Sequence, residues 1–292
     1  MIQFSCADYA FPLLPRVKRF ALLELLGFNH VNLGLFERSS DLQPTQLAAN
    51  RKSFTRQLKS ELRSTGLRLS DIFLQIGLEP SVSAANDPAL LVRNRSRKIF
   101  LSALELCAAV DCAHLTGLPG VFHRSVAAGD DVALAIEEAV WRQHAASEAG
   151  VQYAVEPHIG SICFDVTSTR AFVESVPHLT LALDYGHFIA SGTPSSEVHT
   201  LLPFASHIHA RGAAPGRVQT SVAGNTIDFD GMIGGLHARR YRGFLVLEYV
   251  WTEWQQCNLV DNLSETILLR GLLENLLMKK PGRTVVEEQA NV

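Results

Sequence analysis

The 292-residue sequence has no apolar run near the roughly 18 residues that a membrane-spanning helix needs, so no membrane association is expected. It has no cluster of Lys and Arg either: 26 basic residues face 29 acidic ones, a formal net charge of −3. A chain that grips nucleic acid through phosphates normally shows a basic face, so nucleic acid is not expected as a partner. The five cysteines, Cys6, Cys107, Cys112, Cys163 and Cys257, are odd in number and contain no C-x-x-C pair. That argues against a disulfide scaffold or a common structural zinc site and for reduced, buried thiols. The start, MIQFSCADYAFPLLPRVKRF, lacks a basic leader, a continuous apolar stretch and a small-residue cleavage site. The expectation is a soluble, cytoplasmic protein. Also missing is a Gly-rich first turn, because Cys6 to Pro12 contains no glycine. A doubly wound dinucleotide-binding sheet usually has one.

What is present is a regular alternation of short apolar, β-rich runs with longer segments of helical period. Strands are expected at 2–6, 28–33, 68–73, 112–116, 152–156, 180–184, 206–209 and 244–248. Helices are expected at 16–26, 53–64, 90–110, 130–149, 168–176, 195–203, 229–239 and 261–278. Leu101, Leu104, Cys107 and Ala108 illustrate an inward helical stripe. Repeated β–α units imply parallel strands with crossovers of one hand, and eight of them predict a single (β/α)8 TIM barrel over residues 1–278. The polar remainder, 279–292, contains Pro281 and Gly282 and is expected to be a flexible tail.

In such a barrel the reacting groups come from the C-terminal ends of the strands and the loops after them. The fifth strand ends in VEPH (Glu156, His158), the sixth in LALDYGH (Asp184, His187), the seventh in HIHAR (His207, His209, Arg211) and the eighth in LEYVW (Glu248). Three carboxylates converging on one rim would repel one another, and burial would raise their pKa values. One divalent cation resolves that conflict. Glu156, Asp184, His209 and Glu248 then form a three-oxygen, one-nitrogen set suited to Mn2+ first, with Mg2+, Co2+ or Zn2+ as alternatives. His207 and His209 share a face if their strand is regular, and His209 is the expected ligand because it lies nearer the strand's end.

These residues resemble the xylose-isomerase-like barrel superfamily of sugar isomerases, epimerases and endonuclease-IV-type enzymes. The resemblance rests on a Glu ending strand five, D-x-x-H after strand six, H-x-H at strand seven and a Glu ending strand eight. Asp228–Phe229 and the run YRGFLVLE add to it. It covers residues 1 to about 278 and is nearest in pattern to ketose 3-epimerases. It implies a metal-dependent isomerase or epimerase acting on a small carbohydrate. Glu156 and Glu248 would serve as both metal ligands and the acid–base pair of an enediolate mechanism, and His187 would bind a substrate hydroxyl. Relatives also dehydrate, lyse or cleave glycosides, so a lyase acting on an oxidised sugar is the alternative. The nucleic-acid branch needs histidines at the second and third strand ends, where this chain reads NLGLF and FLQIG.

Where the epimerases carry an acidic residue after strand seven, this chain has Ala210-Arg211-Gly212. Arg211, with Arg217 nearby, suggests an anionic or differently oxidised substrate, or else a structural ion pair. His158 is a further candidate for substrate contact, and His207 is expected in the core or behind the ligands. Trp251 and Trp254 follow Glu248 and either wall a sugar site or simply pack. His144, His178, His199 and His237 are expected at the surface, and His123 in a rim loop. Homo-oligomerisation through helical faces fits the expected architecture.

Overall fold

The computed structural model describes residues 2–279. The expected tail, from residue 280 on, lies outside the described residues. The strands are β1 (Gln3–Ala7), β2 (His30–Phe36), β3 (Arg68–Gln75), β4 (His114–Gly117), β5 (Gln152–Val155), β6 (Thr180–Asp184), β7 (Ala205–Ala210), β8 (Gly212–Ala214), β9 (Arg217–Thr220) and β10 (Phe244–Leu247). Eight of them run parallel and close on themselves, with β10 between β7 and β1. Closure is carried by Cys6, which pairs with Leu247 on one side and Val31 on the other. The chain is therefore a single (β/α)8 TIM barrel. β8 and β9 form an antiparallel hairpin on the C-terminal rim, an element absent from the expected strands.

Around the barrel lie α1 (Arg16–Leu25), α2 (Leu47–Thr65), α3 (Leu90–Ala109), α4 (Ala128–Glu148), α5 (Val166–Ser175), α6 (Tyr185–Ala190), α7 (Ser195–Val198), α8 (Phe229–Ala238) and α9 (Asn262–Met278). Leu23, Leu58, Leu104, Val173, Leu236 and Leu269 turn inward and are buried against the strands. Burying each side chain of this kind stabilises the fold by about 1.5–3 kcal/mol. α5 starts where Asp165 and Ser168 make a reciprocal capping box. The helix expected at 195–203 differs. Pro203 has no N–H to donate and crowds the carbonyl four residues back, so only α7 is α-helical and a 3-10 turn carries His199–Phe204. That turn half-buries His199, which was expected at the surface.

Two irregularities aim side chains into the barrel. The β2–β3 register shifts between Val31 and Asn32, skipping Ser70, so that Asn32 sits opposite Asp71. The β6–β7 register shifts between Leu181 and Ala182, skipping Ser206, so that Ala182 sits opposite His207 and Asp184 opposite His209. A one-residue slip exchanges which face a strand presents to its neighbour, and these two shifts stand directly before Asp71 and His207.

Candidate metal and acid–base site

Glu156 follows β5, and its backbone N–H donates to the Gly117 carbonyl of β4 (2.9 Å). Glu248 follows β10 and donates in the same way to Ala210 of β7 (3.0 Å). Each glutamate is thus the first residue past its strand and is held by the neighbouring one. Asp184 ends β6 and also caps α6, its Oδ1 accepting from Gly186 N–H (2.7 Å). A Cβ on Gly186 would lie 2.8 Å from the Val218 carbonyl oxygen, so only glycine lets the chain turn this closely after Asp184. One turn on, α6 places His187 beside Asp184, with Nε2 3.5 Å from Oδ2.

The groups converge. His209 Nδ1 lies 2.6 Å from Glu156 Oε1 and 3.3 Å from Glu248 Oε2. Arg211 Nη2 bonds Asp184 Oδ2, and it lies 3.3 Å from His187 Nε2 and 3.8 Å from Glu248 Oε2. Glu156, Asp184, His209 and Glu248 are 5, 0, 1 and 3% exposed. His158 is buried beside them, its ring 6.2 Å from that of His187, with Nδ1 on the Glu156 carbonyl and no partner for Nε2. Arg217 is not part of the cluster. It is exposed on β9 and borders a separate groove with Ser221, Asp261 and Glu265.

A family profile described as "Xylose isomerase-like TIM barrel" matches residues 20–269. The chain belongs to this family. Among curated proteins none matches the chain significantly in sequence. Solved structures of similar fold include D-psicose 3-epimerase with D-tagatose from Clostridium cellulolyticum, with a TM-score of 0.74 and 15% identity over 94% of this chain and 99% of that one. 3-Keto-D-glucoside 4-epimerase from E. coli has a TM-score of 0.68 and 16% identity over 94% and 100%. The probable 3-DHS dehydratase involved in petrobactin synthesis from Bacillus anthracis has 0.67 and 14% over 92% and 99%. So this barrel shape is shared with epimerases and a probable dehydratase.

The electrostatics of this xylose isomerase-like rim are strongly divided. Burial, reinforced by the Glu248 charge, raises the Glu156 carboxyl to about 7. Burial also raises Glu248, but His209 and Arg211 outweigh it and hold that carboxyl at about 2. Burial raises Asp184 against the pull of Arg211. Burial lowers His187 well below the usual imidazole range, and Arg211 and His158 lower it further. Burial would lower His209 as well, but the two glutamates push it well above that range.

The donor set fits a divalent cation on charge and on spacing. A cation that displaces the His209 proton and ionises Glu156 meets three carboxylates less one guanidinium, which is two negative charges. Glu156, His209 and Glu248 bring ligand atoms within 4.8 Å of one another, and so do Glu156, Asp184 and His187. Ligands about 2.1 Å from an ion in octahedral geometry lie about 3 Å apart, close to the 3.3 Å between His209 and Glu248. Glu248 Oε2 is buried without a hydrogen-bond partner. Arg211 is the odd member, since it holds the one carboxylate that a four-ligand set would also need.

Several neighbours were not visible from strand ends. Tyr9, in the turn after β1, donates its hydroxyl to Glu248 Oε1 (2.7 Å). Its ring packs edge-on against Phe36 and Phe73, and Phe73 lies 5.7 Å from His209. Gly34 makes this possible, because a Cβ there would lie 2.6 Å from Tyr9 Cδ1. Of the two tryptophans expected near Glu248, Trp254 sits 6.0 Å from His187, while Trp251 borders the groove beside Phe11 and Leu13.

Proposed function

We propose that the protein is a divalent-metal-dependent isomerase or epimerase of a small carbohydrate, working by proton abstraction beside a carbonyl. The observation that carries this reading is the pair of buried glutamates on one imidazole nitrogen, with environments that push their proton affinities apart. Two buried carboxyls at one site, one with its proton affinity raised and the other with it lowered, suit an acid and a base. Glu156, Asp184, His209 and Glu248 would hold the ion. When bound, it supplies a Lewis acid that polarises the substrate carbonyl and acidifies the adjacent C–H.

Glu248, ionised and oriented by Tyr9, takes the proton from that carbon. Glu156, protonated, returns one from the opposite face, which inverts the centre, or to the adjacent carbon, which moves the carbonyl. His187 and His158, neutral through burial, bind hydroxyls, and Trp254 covers an apolar sugar face. The closed aromatic wall of Tyr9, Phe36 and Phe73 keeps bulk water from the carbanionic carbon.

A second reading, dehydration or cleavage of an oxidised sugar, is favoured by Arg211. Its guanidinium stands among these groups and could receive a substrate carboxylate or a departing oxygen. The two readings separate in heavy water. The Mn2+-loaded protein is incubated with a panel of ketoses, keto-sugars and sugar acids. Deuterium at one carbon of recovered or epimerised sugar, without eliminated product, supports isomerisation. Accumulation of an unsaturated product supports the second reading, and no exchange with any member refutes proton abstraction.

A further inference from the structure

Below the rim the barrel axis holds a second polar group. Asp71 comes from β3 and His207 and His209 from β7, strands on opposite walls of the barrel. Their ligand atoms nevertheless lie within 4.8 Å of one another, and all three residues are 0–1% exposed. We infer that Asp71, His207 and His209 form a second divalent-metal site, with the two-imidazole, one-carboxylate chemistry that takes Zn2+, Co2+ or Fe2+.

The hydrogen bonds of the surrounding residues single out these donors. His114 uses both ring nitrogens, Nδ1 with Asp71 Oδ1 (2.6 Å) and Nε2 with Ser206 Oγ (2.8 Å). His207 stacks on His114 with ring centroids 4.8 Å apart, yet both of its nitrogens are buried and unpartnered. His209 spends Nδ1 on the rim glutamates, which leaves Nε2 buried and unpartnered. A carboxylate that accepts from one imidazole nitrogen fixes the tautomer and presents the other nitrogen to a metal, and Glu156 stands in that relation to His209. Asp71 is braced from outside the cluster, by His114 on Oδ1 and by Asn32 Nδ2 on Oδ2 (2.6 Å). Buried imidazoles without partners are uncommon unless an ion or ordered water meets them, and metal ligands are braced in this way.

The backbone points the same way. The two register shifts at Ser70 and Ser206 directly precede Asp71 and His207 and turn both toward the axis. Two imidazoles favour softer transition ions, whereas the oxygen-rich rim favours Mn2+ or Mg2+. An ion here would tie β3 to β7 across the barrel and fix the ring of His209. No rim carboxylate is a ligand here, but His209 serves one ion at a time: with Nδ1–H held by Glu156 its Nε2 faces this site, and it then takes no part in the rim set.

The test therefore disables the rim first. Glu248→Gln is stripped with chelator, dialysed against Zn2+ and assayed by elemental analysis. One equivalent of Zn2+ per chain is expected, falling at least tenfold in affinity when Asp71→Asn or His207→Gln is added. Asp71→Asn alone should keep the wild-type Mn2+ content of the rim. Should both added substitutions prevent folding, X-ray absorption of Zn2+-loaded Glu248→Gln should count two imidazoles on the metal. Absence of Zn2+ from Glu248→Gln, Zn2+ binding indifferent to Asp71→Asn, or a zinc shell without two imidazoles overturns the second site. Failure of wild type to hold Mn2+ sinks the rim reading instead and leaves this result to be read independently.

Discussion

Replacing Arg211 with glutamine separates the two ways in which the rim carboxylates can be neutralised. In the metal-free protein the guanidinium, 4% exposed, bonds the fully buried Asp184 and faces Glu248 at 3.8 Å. Removing one partner of a buried pair costs about 3–5 kcal/mol, because the other charge stays buried and uncompensated. Barrels of this size lose a few degrees per kcal/mol, so the metal-free Tm should fall on the order of 10 °C. Metal binding should respond with the opposite sign. A guanidinium beside the ligands repels an incoming cation, and two unit charges about 4 Å apart at an effective dielectric of 20 interact by about 4 kcal/mol, an upper bound. With that bound as the ceiling, Mn2+ should bind Arg211→Gln between about tenfold and about a thousandfold more tightly, and loading should recover much of the lost Tm. Calorimetric scans of stripped and loaded protein, with Mn2+ titrations, read both effects. An unchanged metal-free Tm, or weaker Mn2+ binding in the variant, would refute this account of the rim.

Glu248→Gln removes a ligand charge while keeping shape, so stripped and reloaded protein should retain far less Mn2+ than wild type by elemental analysis. Tyr9→Phe deletes the hydrogen bond to Glu248, a charge-assisted contact worth about 1.5–3 kcal/mol. Its acidic pH–rate limb should move up by about one to two units with KM little changed, and an unmoved limb would deny Tyr9 a positioning role. His158 is buried neutral, and burial lowers its pKa from 6.5 to about 4. The unfolded chain takes up that proton first, so the contribution to stability is complete above about pH 6.5 and declines as the pH falls toward 4. The decline amounts to about 3 kcal/mol, and His158→Asn should flatten it in urea titrations across that window.

The alternation of apolar runs with helical periods was enough to establish eight β–α units, because each strand is buried on both faces and each helix on one. Glu156, Asp184, His187, His209 and Glu248 were legible for a related reason: a barrel delivers every strand end to one rim, so position along the chain already implies proximity. Other contacts are tertiary in origin. Tyr9 reaches Glu248 across 239 residues only because the closing of β1 on β10 makes the chain ends neighbours. Asp71 drew no expectation from the sequence, and His207 was expected in the core or behind the ligands. The register shifts at Ser70 and Ser206, set by how whole strands pack, turn both inward. Arg211 was ambiguous between substrate contact and ion pair until folding placed it on Asp184. Arg217, six residues later, was carried away by a hairpin that no periodicity announced. Local pattern determined the elements and their order. Long-range register and closure decided which polar side chains meet, because a charge's partner inside a barrel is chosen by geometry across the axis rather than by its neighbours along the chain.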